Sequence, residues 1–151
     1  MRKFGIVFLL LAAMSCKTPK EKWLDGLTGY KEIKSKSMVL QLMRMERKND
    51  TSVLDYKVRI YPAKSWTEQA GPVDINHLNY QVDSCFSLKA GKAAHSPAFV
   101  QPVASGVTGC FEYLVSFALD STVKMKTLQL VYTDKYIDGH TYSLDLNNAK
   151  N

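Results

Sequence analysis

Residues 53–61 alternate without interruption: Leu54, Tyr56, Val58 and Ile60 fall on one side, Asp55, Lys57 and Arg59 on the other. Such a stretch can bury its apolar set only as an extended strand, because successive side chains of a strand leave on opposite faces. The period returns at 110–119, where Phe111, Tyr113, Val115, Phe117 and Leu119 share one face and Glu112 and Ser116 occupy the other. Leu114 makes that second face partly apolar, which predicts a strand in the middle of a sheet. Similar segments are expected at 38–46, at 78–83 continuing through Cys85, Phe86 and Leu88, and at 98–103, 126–133 and 140–146. Polar or glycine-bearing connections at 47–52, 89–92, 105–109 and Asp138-Gly139 separate them. About seven short strands with no long amphipathic helix describe an all-β fold, an antiparallel sandwich, with a barrel of similar strand count as the rival that periodicity does not separate. At 151 residues and 46% apolar content the chain has material for one such core.

The amino terminus does not belong to that pattern. Arg2 and Lys3 precede an unbroken apolar block from Phe4 to Met14, followed by Ser15 and Cys16. Eleven apolar residues are too few to span a bilayer as a helix and match the core of an export signal. Ala13-Met14-Ser15-Cys16 resembles the lipobox of bacterial lipoproteins, in the looser form found in Bacteroidota; Ala13 stands where the strict pattern has Leu. The resemblance implies cleavage before Cys16, diacylglycerol on its sulfur and acylation of the new amino terminus. Several acyl chains at about 0.8 kcal/mol per buried CH₂ hold a protein on a membrane persistently. The chain then divides into a signal peptide (1–15), a lipidated cysteine with a basic tether (16–36), and a sandwich domain (37–151). Within 16–36, Trp23, Leu27 and Tyr30 recur at helical spacing, but Gly26 and Gly29 weaken a helix, so the second half of the tether packs as a short turn or supplies an edge strand.

Over 37–147 the strand pattern also resembles the immunoglobulin-like domains of small exported bacterial lipoproteins. That resemblance implies an immunoglobulin-like β-sandwich as the body. Charge is uneven: residues 17–48 carry nine basic and four acidic side chains, residues 49–151 nine and ten. Positive charge beside the anchor suits anionic headgroups, or simply makes a soluble spacer. The near-neutral body and a compartment outside the cytoplasm make nucleic acid a poor partner. Lys17, Thr18, Pro19 and Lys20 directly after the cysteine lack the acids associated with surface export, which leans the expected location to the periplasmic face of the outer membrane.

With Cys16 assigned to lipid, Cys85 and Cys110 form an even pair in an exported chain and invite a disulfide. Closing a loop of about 26 residues would contribute roughly 3.5 kcal/mol. Two reduced, buried small hydrophobes are the alternative.

The catalytic signatures are missing: there is no Gly-x-Ser-x-Gly, His-Glu-x-x-His, phosphate-binding glycine loop or Cys-x-x-Cys. His77, His95 and His140 are far apart and read as exposed loop residues, and 134–139 reads as a capped hairpin turn rather than a calcium loop. Neither a metal nor a cofactor is expected. Tyr61 and Trp66, in a loop after a strand, and Tyr136 at another strand end are the candidate ligand contacts; rings folded over the core edge are the plainer reading. Asp120-Ser121-Thr122 resembles the O-glycosylation motif of exported Bacteroidota proteins, with Ser121 as acceptor. The first expectation is a non-catalytic, membrane-anchored lipoprotein that binds protein or glycan, which an open groove lined by Tyr61, Trp66 or Tyr136 would favour. An assembly subunit would show a flat apolar patch or an unpaired edge, and a hydrolase a deep polar pocket with a His and two carboxylates.

Overall fold

The computed structural model describes Leu27, residues 29–47, residues 50–120, Val123 and residues 127–147. The leader at 1–15, Cys16 and Ser121 lie outside the described residues. Nine strands are described: β1 (Tyr30–Lys34), β2 (Met38–Met45), β3 (Val53–Pro62), β4 (Phe86–Ala90), β5 (Ala93–His95), β6 (Phe99–Val103), β7 (Phe111–Ala118), β8 (Leu128–Thr133) and β9 (Thr141–Asp145). Two short helices, α1 (Lys64–Gln69) and α2 (Pro72–Tyr80), and a 3₁₀ turn at Asp83–Cys85 connect β3 to β4.

All strand pairs are antiparallel, in two sheets ordered β1-β2-β3-β7-β6 and β5-β4-β8-β9. The fold is a sandwich, with the two sheets approaching at one edge where an isolated bridge joins Leu27 to Asn147. With β1 set aside, β2-β3-β7-β6 opposite β5-β4-β8-β9 is the immunoglobulin-like order, strands A, B, E and D facing C′, C, F and G. β1 comes from the segment read as tether, which supplies an edge strand, the second of the two outcomes left open for it.

The alternation read at 53–61 is what buries β3. Leu54, Tyr56, Val58 and Ile60 are at most 2% exposed, and their polar neighbours face outward. From β7, Tyr113, Val115 and Phe117 join them, and Phe86, Leu88, Leu128, Leu130, Tyr132 and Leu144 close the core from the other sheet. Phe86 packs between Tyr113 and Tyr132, with centroids 5.8 and 5.1 Å away, so aromatic contacts tie the sheets together.

Two expectations are corrected. Residues 78–83 are not a strand. Leu78 and Val82 are fully buried while Tyr80 between them is 73% exposed, a period of four rather than two. Pro72 begins the helix and the Asp74 carboxylate accepts the Gly71 N–H at 2.9 Å, so α2 has a proper start. The second correction concerns Cys85 and Cys110, which are both free thiols. Cys85 is buried in the core, whereas Cys110 lies beyond the start of β7 in phase with Glu112, where it hydrogen-bonds Tyr61 on the outer face. A sheet separates the two sulfurs. Burial pushes the Cys85 thiol up to about 11. We expect a maleimide to label Cys110 in the native protein and Cys85 only after unfolding, with both labelled in unreduced denaturant; mass spectrometry finding neither labelled would restore the bridge.

The β8–β9 connection is a capped turn, as read from the sequence. Asp134, 2% exposed, accepts N–H bonds through Oδ2 from Ile137 (2.8 Å), Asp138 (2.6 Å) and Gly139 (2.9 Å), and through Oδ1 from Tyr136 (3.3 Å) and the Tyr132 hydroxyl (3.0 Å). Gly139 sits at φ +73°, a conformation that side chains with a Cβ rarely adopt. Asp134→Ala strands these donors and should lower unfolding free energy by about 2–4 kcal/mol in urea titration; a loss under about 0.5 kcal/mol, the size of an ordinary surface substitution, would contradict the role assigned to the carboxylate.

Candidate functional site

The β1–β2 turn, the exit of β3, both helices and the β8–β9 turn meet at one end of the sandwich. Side chains from β7, from the β8–β9 turn and from the helices themselves fasten them. Tyr113 donates its hydroxyl hydrogen to the Leu78 carbonyl, and Tyr136 donates to the Gln81 carbonyl at 2.9 Å. Lys135 Nζ donates to Ser84 Oγ at 2.7 Å, and the His77 ring lies 5.0 Å from that of Tyr136. Trp66 on α1 then donates its indole N–H to the Tyr136 carbonyl at 3.1 Å and meets Phe111 edge-on at 6.3 Å. The helical connection and the turn are thus locked to each other through the indole.

Beside that indole lies an open cleft of about 340 Å³, lined by Lys36, Ser37, Ala63, Ser65, Trp66, Gln69 and Ile137. This is near the lower end of the range for small-ligand sites. Its lining mixes one aromatic ring, one ammonium, two hydroxyls and an amide with two small apolar patches. Trp66 has its N–H already satisfied, so it offers a ligand its ring. Ser65 and Gln69 are four residues apart on α1 and so lie on the same side of it. Below the cleft, Asp138 accepts hydrogen bonds from Tyr142 Oη (2.5 Å), the His140 N–H (2.9 Å) and Ser37. Burial works to raise its pKa, but these donors outweigh it and hold the carboxyl below its ordinary value. With its side chain 10% exposed, Asp138 organises the floor rather than reaching into the cleft.

Of the three aromatics singled out, the structure brings Trp66 and Tyr136 together and leaves Tyr61 elsewhere. Tyr61 follows Ile60 on β3 and therefore points to the opposite, outer face of the five-stranded sheet. Tyr136 is committed to Gln81 and His77 and supports Trp66 through its carbonyl. Lys36, Ser37, Ser65, Gln69 and Ile137 were not singled out in the sequence. The i, i+4 pair Ser65 and Gln69 beside Trp66 was the available signal; the rest converge only through the fold. His77, His95 and His140 lie on α2, on β5 and in the β8–β9 turn, and among the described residues no group of three His, Cys, Asp or Glu side chains gathers to hold a metal.

The outer face of the same sheet carries a second polar cluster. Glu112, 4% exposed, accepts from Arg59 Nε at 2.5 Å and lies 3.4 Å from Lys57 Nζ, while Ser116 donates to Asp55, which also pairs with Arg47. Burial of Glu112 favours its neutral form, but Arg59 and Lys57 prevail and its pKa is lowered. A lowered folded pKa gives stability that is present above the unfolded value, near 4.5, and is lost as pH falls through the folded one. Glu112→Gln should therefore cost about 1–2 kcal/mol at pH 7 and nothing once both proteins are well below pH 4; parallel stability curves across that range would contradict the pairing.

Comparison with protein-family models, with curated proteins and with solved structures finds no match.

Proposed function

We propose that this chain is a non-catalytic envelope lipoprotein whose β-sandwich binds glycan in the Trp66 cleft. The observation that carries the reading is the fixed indole lining an open cleft among hydroxyl, amide and ammonium groups. Sugar rings present C–H faces to aromatic rings and hydroxyls to such polar neighbours, and the ring here is held before a ligand arrives. The loops after β3 and β8 that build the cleft correspond to loops that carry recognition in immunoglobulin variable domains, an analogy of fold rather than of ancestry.

Anchoring through lipid at Cys16 fits this arrangement. Leu27 lies beside the start of β1 and the end of β9, whereas the cleft lies at the opposite strand ends. The ten residues of β3 run roughly 30 Å between those poles. A tether arriving from a membrane at the Leu27 pole holds the cleft away from the bilayer. The outer membrane, with its periplasmic side favoured by the lysines after Cys16, is the proposed location.

A glycan array probed with the full-length protein in detergent tests the reading. Binding of at least one oligosaccharide, reduced about tenfold by Trp66→Ala with folding intact, is the expected result, at the upper end of what one aromatic stacking partner contributes. No binding across neutral and acidic glycans would overturn it. Cys16→Ala is expected to release the protein from membranes, and unchanged retention would remove the anchor.

An assembly role is the second reading. Tyr30, Met43 and Met45 on the outer sheet face are 41–50% exposed, and recovery of a stoichiometric envelope partner that Met43→Lys abolishes would favour it.

A further inference from the structure

We infer that the glycan accepted by the Trp66 cleft is an acidic one, with a uronic acid unit whose carboxylate meets Lys36. The inference rests on the glycan reading and goes beyond it by naming the charge of the ligand. Among the described residues, the cleft lining holds a lysine and no carboxylate: Lys36 stands with Ser37, Ala63, Ser65, Trp66, Gln69 and Ile137. Two acids lie close in sequence to the lining, and neither is among the lining residues. Asp138 is engaged by Tyr142, Ser37 and the His140 N–H beneath the floor. Glu68, on the following turn of α1, pairs with Lys64 at 3.5 Å. Lys36 is exposed at the cleft and open to an anionic partner. A carboxylated ring supplies one through a charge-assisted hydrogen bond, while its hydroxyls meet Ser37, Ser65 and Gln69 and its C–H face meets the indole. The volume of about 340 Å³ suits one or two sugar rings, so the acidic unit and the stacked unit are the same ring or adjacent ones.

Calorimetric titration of the full-length protein in detergent with galacturonate, glucuronate and alginate trimers, each beside a neutral trimer of matching linkage, tests this. At least one uronate is expected to bind about tenfold more tightly than its neutral counterpart. Lys36→Gln should reduce that preference to about twofold or less, whereas Lys92→Gln, in the turn between β4 and β5 at the far pole, should leave it intact. The preference should also shrink in ~1 M salt, where the Debye length is about 3 Å. Equal binding of neutral and acidic trimers, or a preference that survives Lys36→Gln, would overturn the inference and leave the glycan reading standing. Loss of the preference in Lys92→Gln as well would show diffuse attraction to a basic protein and overturn it too. Binding of no trimer, acidic or neutral, would overturn both.

Discussion

At the end of β8 the Asp134 carboxylate is withdrawn from water and receives the amides of four following residues together with the Tyr132 hydroxyl. Backbone amides in a tight turn are costly to bury without acceptors, and here one side chain meets nearly all of that need. The turn so fixed presents the Tyr136 carbonyl to the Trp66 indole and the Tyr136 hydroxyl to the Gln81 carbonyl, which in turn holds the segment after α2. Position at the helical pole thus descends from a buried acid through a turn to an aromatic ring. The core beneath takes part as well, since Tyr113 and Tyr132 flank Phe86 with their rings and secure the loops above with their hydroxyls.

What the amino-acid pattern revealed follows from how local each feature is. The strands β2, β3, β6, β7, β8 and β9 were legible because a half-buried strand writes its two faces into alternate positions. The error at 78–83 arose where Leu78, Tyr80 and Val82 satisfy a period of two, while burial of Leu78 and Val82 without Tyr80 reveals a period of four. Pro72 with Asp74 was the helical signal in that stretch. The cysteine pair shows a similar lesson: Cys110 shares its parity with Glu112 and Ser116, so its place on the outer face was already implied by the alternation of β7, and only Cys85 could reach the core. The cleft was less accessible, because Lys36 and Ser37, the residues of α1, and Ile137 come from distant parts of the chain and meet only after both sheets have formed.

The two faces of the five-stranded sheet divide the labour. Inward, it is almost wholly apolar. Outward, each buried or half-buried acid has a cation or donor at hand: Glu112 with Arg59 and Lys57, Asp55 with Arg47 and Ser116, and Glu32 with Lys34, Gln41 and Tyr30, which hold its carboxyl at about 2. Those pairs keep the outer face soluble and its register fixed, since a slip of one residue would set these charges opposite apolar side chains and turn the apolar set outward. By contrast, the cleft at the helical pole has Lys36 and, among the described residues, no acid in its lining.

Mapping backbone and indole NMR shifts while an oligosaccharide is added to isotope-labelled protein addresses the account most directly. Changes concentrated at Lys36, Ser37, Ser65, the Trp66 indole, Gln69 and Ile137, with the Leu27 pole silent, are the expected outcome. Changes centred instead on Tyr30, Met43 and Arg59 of the outer sheet face, or scattered without a focus, would contradict it.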